Sequence, residues 1–183
     1  MSYFEKIEQL RDLEEKGKWN QARELLLGTW ENDKENSGKL VRVVSECWLV
    51  LSWWDCCIST NGLSFQDFQN TLIECVEFGL KHFSDDTQFL CVAGHMIATL
   101  PFLFYSSEAV HLYSEWEQRG VDMIRKAHEL DSDDWIAKIL NLGLTLVSLD
   151  EHILAKGQFL PNIEKAFPGE TELEKYFRDL LSP

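Results

Sequence analysis

Hydrophobic and polar positions recur along this chain with the period of a helix and nowhere with the strict alternation of a strand. From Tyr3 to Lys16, Phe4, Ile7, Leu10 and Leu13 share one face, which predicts an amphipathic helix closed by Gly17-Lys18. Trp19 to about Trp30 predicts its partner, with Ala22, Leu25, Leu26 and Trp30 inward. The polar run from Asn32 to Gly38 reads as a loop. Leu40 to Ile58 is apolar over much of its circumference and is punctuated by Arg42, Glu46 and Asp55, so a buried central helix is expected rather than a membrane span. Ser59 to Gly62 is a turn, and Ser64 is placed to cap a helix from Phe65 to about His82 with Phe68, Leu72, Val76 and Leu80 inward.

Phe89 to Tyr105 is seventeen residues without a formal charge, but it holds His95 and Pro101. It falls short of the roughly 20 residues of a spanning helix, so a core helix ended or kinked near Pro101 is predicted. Ser106-Ser107 then caps a helix from Glu108 to Leu130, with Gly120 as a point of interruption. Two apolar stripes follow each other closely: Val121, Ile124, Ala127, His128 and Leu130, then Trp135, Ile136, Ile139, Leu140, Leu142, Gly143, Leu146 and Val147. Asp131 to Asp134 between them offers N-caps. Glu151 to Ala166 predicts a helix kinked before Pro161, and Thr171 to Leu181 a last amphipathic one. About nine helices without a strand give a single all-α domain over residues 1–183, built of stacked antiparallel hairpins.

A family resemblance is carried by three fragments. The step from Ala127 to Leu130-Asp131, the turn, Trp135, Ala137 and Leu142-Gly143 resembles the junction between consecutive tetratricopeptide repeats. Leu13 to Ala22, with Gly17, Trp19 and Ala22, resembles the inside of one repeat. Phe78 to Asp86 followed by Phe89 to Gly94 is a third trace. The resemblance implies an α-α superhelix of hairpins. Ser132 stands where the family usually has Pro, and the spacing is longer than the family's.

Composition narrows the class. With 45% hydrophobic residues among 183, the chain can bury a substantial core. Its first residues are charged and lack the apolar run of a secretory signal, so a cytoplasmic location is expected. Cys47, Cys56, Cys57, Cys75 and Cys91 are odd in number and lack CxxC spacing, so reduced, mostly buried thiols are expected rather than disulfides or a zinc cluster.

Charge is the strongest global feature. The chain carries 31 acids against 17 bases, a net charge of −14. Between Val43 and Glu117 stand Glu46, Asp55, Asp67, Glu74, Glu77, Asp85, Asp86, Glu108, Glu115 and Glu117 against the single base Lys81. Nucleic acid and anionic membrane are poor partners for such a surface, because both are met through Lys and Arg. A basic protein suits it better.

No phosphate-binding loop, nucleophile elbow or zinc-protease motif is present, and no cofactor is expected. His111 and Glu115 stand one helical turn apart, which two ligands alone do not make into a metal site. Asp131 to Asp134 lacks the Gly and distal Glu of a calcium loop. Of the seven Trp, Trp53 beside Asp55 and Trp116 between Glu115 and Glu117 sit in acidic contexts, where an exposed ring would serve as an anchor for a basic partner.

Three functions follow, in order. The first is a non-enzymatic acidic binding protein, most concretely an immunity-type inhibitor that neutralises a basic nuclease toxin. Its expected contact residues are Glu46, Asp55, Glu74, Glu77, Asp85, Asp86, Glu108, Glu115, Glu117, Trp53 and Trp116. The second is a generic tetratricopeptide-like adaptor that holds a peptide segment. The third is a thiol enzyme using Cys91 with His95.

Overall fold

The helices start where short polar side chains are available to start them. Asn36 accepts from the Lys39 N–H at 3.0 Å, Ser64 from Asp67 at 3.2 Å, Asp86 from Phe89 at 2.7 Å, and Asp134 from Ile136 and Ala137 at 2.8 and 3.1 Å. Each satisfies N–H groups that the first turn of a helix leaves unpaired.

The computed structural model describes residues 2–54, 56, 58–106, 111–144 and 149–183. Among these residues every regular element is helical: α1 Leu10–Glu15, α2 Trp19–Glu31, α3 Ser37–Ser52, α4 Phe65–His82, α5 Thr87–Thr99, a 3-10 turn Pro101–Phe104, α6 His111–Leu130, α7 Trp135–Gly143, α8 Leu149–Phe159, a 3-10 turn Leu160–Asn162, α9 Ile163–Ala166 and α10 Glu172–Leu181. α8, its following turn and α9 run on without a gap as one rod kinked at Pro161. Counted so, nine helical rods are described, as the apolar periodicity predicts.

α3 is the centre of the packing. It touches α2, α4, α5 and α10, and every residue from Leu40 to Leu51 is buried. Most successive helices pack on one another, α5 most extensively on α6, though α4 leans on α3 and the Pro101–Phe104 turn rather than on α5, and α3, α5 and α7 are in contact in turn. The two ends of the chain meet: the Tyr3 N–H donates to the Ala166 carbonyl at 2.7 Å, and the Phe4 ring lies 5.6 Å from Phe167 and 5.2 Å from Phe177.

Three expectations are corrected. The first helix begins at Leu10 rather than Tyr3, because Phe4 is drawn into the aromatic cluster under α10 and Gln9 takes a left-handed φ of 69° at the helix entry. The central helix ends at Ser52, and Trp53 caps it. Gly120 does not interrupt α6, which runs through it unbroken. The expected cap at Ser107, the core positions Leu146 and Val147, and Cys57 lie outside the described residues.

Candidate functional site

Two helices face each other across α5. On α4, Glu74 and Glu77 are exposed, with Glu77 one turn from Leu80, and Ser84 follows just past the end of the helix. On α6, Glu115, Gln118, Asp122 and Lys126 follow at near-helical spacing. Between them runs a groove of about 730 Å³ whose floor is Leu80, Leu90 and Met123 and whose rim includes Glu115, Arg119, Asp122 and Lys126. The Lys126 ammonium crosses to Asp85 with an Nζ–Oδ1 distance of 2.7 Å and closes one end.

The rim cations are engaged. Lys126 holds Asp85, and the Arg119 guanidinium lies 4.5 Å over the Trp116 ring. Glu74, Glu77, Glu115 and Glu117 are exposed, and among the described residues none has an ion pair or side-chain hydrogen bond. Of these four, Glu115 lines the groove; Glu74 and Glu77 stand on α4 outside its lining, and Glu117 lies about 200° around α6 from Glu115.

The other expected contact residues divide. Asp85 is exposed but paired. Asp86 is spent on structure: it caps α5 and accepts from the Ser37 hydroxyl at 2.7 Å. Trp116 is half-buried, stacked on Phe104 at 5.9 Å beneath Arg119, so it braces the groove wall instead of projecting from it. Trp53 is half-buried against the core at the end of α3. The exposed rings in this region are Phe102 and Tyr113, which the sequence reading passes over because no acid adjoins them. Asp55 and Glu108 lie outside the described residues.

Glu46 must be withdrawn from the acidic face. It is only 3% exposed, on the inward side of α3, beside Glu14 of α1 and Arg42 one turn before it. Burial, and then the Glu14 charge, push its carboxyl well above the usual carboxylate range. Glu14 is pushed up to about 6, by burial first, while the Glu172 N–H and Arg42 hold it down. With both groups ionised, Glu14 Oε1 and Glu46 Oε1 have no donor, and a proton held between the two carboxyls supplies one. The cluster ties α1 and α3 to α10, since the Glu172 N–H donates to Glu14 Oε2 at 2.8 Å.

The remaining chemistry is separated in space. His95 Nε2 is 2.6 Å from the Tyr176 hydroxyl, whereas the Cys91 thiol faces Tyr3 and is pushed far up by burial. The His95–Cys91 pairing that a thiol mechanism needs is not formed. His111 and Glu115 are both exposed, and no group of three metal-ligating side chains occurs among the described residues. No helix among them is long and apolar enough to cross a membrane. The chain matches no protein-family model, no curated protein and no solved structure.

Proposed function

We propose that this protein binds a basic protein through the face formed by α4 and α6, without catalysing a reaction. The observation that carries the reading is the mismatch of engagement: Glu74, Glu77, Glu115 and Glu117 have no polar partner among the described residues, while Lys126 is paired with Asp85 and Arg119 lies over the Trp116 ring. Lys126 is offset by Asp85, and the Arg119 charge is outnumbered by the unpaired carboxylates of Glu74, Glu77 and Glu115, so the face presents a negative potential to an approaching partner. The apolar floor of Leu80, Leu90 and Met123 then offers contact area once charge has steered the encounter. The most concrete version is an immunity-type inhibitor whose carboxylates cover the basic surface a nuclease toxin uses for phosphates. A hairpin stack resembling tetratricopeptide repeats suits this use, because it displays an extended face on a rigid frame.

The test compares the wild type with a variant carrying Glu74→Gln, Glu77→Gln, Glu115→Gln and Glu117→Gln. Tagged protein is incubated with native extract at low and at moderate ionic strength, and the association rate of each captured partner is measured. A partner with a pI above about 9 is expected, with association slowed roughly tenfold or more by the substitutions or by salt. A partner that is acidic, or that associates with the variant as fast as with the wild type, overturns the reading.

A further inference from the structure

A second hollow, of about 290 Å³, lies on the far side of α5 from the acidic groove and is framed by α5, α7, α8 and α10. Its chemistry is opposite to that of the rest of the molecule. The walls are aliphatic, chiefly Ile124, Ile139, Leu140 and Leu144. Among the described residues, the titratable groups that line it are His95, His152 and Lys156, and no Asp or Glu does so. In a chain with 31 acids against 17 bases, a cavity lined by bases alone restricts what it can hold.

The three polar groups are differently placed. Lys156 Nζ donates to the Ser182 carbonyl at 3.1 Å and has no carboxylate within ion-pair distance among the described residues. An ammonium has three donors, so two remain for a ligand. His152 stands one turn before Lys156 on α8, and a β-carbon at Gly143 would come within 3.3 Å of its ring, so the glycine makes room for the imidazole beside the hollow. His95 is fixed on the opposite wall by Tyr176 at 2.6 Å. Burial, with Lys156 beside it, holds His152 below its ordinary range, and burial holds His95 at about 4, so both rings are neutral near pH 7 and each carries one N–H.

We propose that this hollow binds a small apolar carboxylic acid, of the class of a short-chain fatty acid or an aryl carboxylate, with its hydrocarbon part among Ile124, Ile139, Leu140 and Leu144 and its carboxylate accepting from Lys156 and His152. A carboxylate supplies a counter-charge for Lys156, which has none within ion-pair distance among the described residues. An apolar tail is needed to gain anything from the aliphatic walls. The volume sits at the lower edge of ordinary ligand sites, about 300–1,000 Å³, which favours a small acid over a nucleotide or a large cofactor. An amine is excluded by Lys156, and a neutral alcohol leaves the ammonium unmatched.

The experiment is calorimetric titration of the full chain with octanoate, benzoate, octanol and octylamine, accompanied by thermal melts. One of the two acids is expected to bind at a single site and raise the melting temperature with concentration, while the alcohol and the amine do not. Lys156→Met is expected to weaken that binding about tenfold, the effect of losing one charge-assisted contact. His152→Gln serves where Lys156→Met lowers folding, with the same expectation, and circular dichroism verifies both. The four-carboxylate variant of α4 and α6 is expected to bind the acid as the wild type does, which separates this site from the acidic face. Binding of neither acid, equal binding of octanol and octanoate, or unchanged affinity in folded Lys156→Met and His152→Gln proteins overturns the proposal.

Discussion

The carbonyl oxygen of Gly94 on α5 occupies the space where a β-carbon on Gly120 of α6 would stand, 2.7 Å away. That β-carbon would also lie 2.4 Å from the Ala98 nitrogen. Both obstacles are backbone, which cannot rotate aside, so the most extensive helix pair in the fold depends on the missing side chain. Gly120→Ala is expected to destabilise the protein by about 3 kcal/mol or more, at the upper end of overpacking costs. Gly157→Ala is the contrast: no atom stands within 4 Å of its β-carbon position on exposed α8, and the change is expected to stabilise by about 0.5–1 kcal/mol. Urea unfolding of the two variants measures both, and a mild Gly120→Ala would show that α5 and α6 can move apart.

That glycine also shows where sequence reasoning stops. The start of α4 at Phe65 and of α7 at Trp135 was legible, because Ser64 and Asp134 act within their own first turns. The break at Pro101 and the kink at Pro161 were legible for the same reason. Gly120 reads locally as a weak point in a helix. Its role is set by Gly94, on another helix, and leaves no trace in the neighbouring residues. Glu46 is misread in the same way: four residues after Arg42 it has the spacing of a surface pair, and only the fold brings Glu14 to it. Of the candidate site, the acidic helices were legible, but the pairing of Asp85 with Lys126 and the withdrawal of Trp116 beneath Arg119 were not.

The buried acids make stability fall with rising pH. Glu14 goes from the ordinary 4.5 to about 6 on folding, so the unfolded chain loses its proton first and folding weakens as pH rises between those values. The loss for Glu14 is about 2 kcal/mol. Glu46, also raised, extends the decline to higher pH. Glu46→Gln, which keeps a donor toward Glu14 and cannot ionise, is expected to be more stable than the wild type at pH 8 and equal to it near pH 4. Denaturant titrations of both proteins across that range decide it, and parallel curves would count against a shared proton.

Thiol labelling should follow burial. Cys47, Cys75 and Cys91 are buried, and burial pushes all three thiols up, Cys75 to about 12. Cys56 is exposed. A thiol reagent at neutral pH is expected to modify Cys56 quickly and Cys47, Cys75 and Cys91 only on unfolding, as peptide mapping of the labelled protein would show. Fast labelling of Cys91 in the folded protein would revive the thiol-enzyme reading.

The His95–Tyr176 pair sets the acid side of the stability profile. Burial drives His95 from the ordinary 6.5 to about 4, and burial raises Tyr176 to about 12, so at neutral pH a neutral phenol and a neutral imidazole share one hydrogen bond. A depressed folded value means the unfolded chain takes up the proton first, so this stabilisation is full above pH 6.5 and is lost as pH falls toward 4. Between pH 7 and pH 5 the loss attributable to His95 is about 2 kcal/mol. It opposes the contribution of Glu14, so the two nearly cancel where their ranges overlap, between about pH 4.5 and 6, and the decline due to His95 shows in the wild type mainly below that range. Tyr176→Phe leaves the imidazole Nε2 without its hydrogen-bond partner and is expected to cost about 1–3 kcal/mol at pH 7. His95→Gln, which does not titrate, is expected to remove the acid-side decline while the Glu14 limb remains. Unfolding measured at pH 5 and pH 7 for the three proteins checks this, and an undiminished decline in His95→Gln would assign the acid limb to other groups.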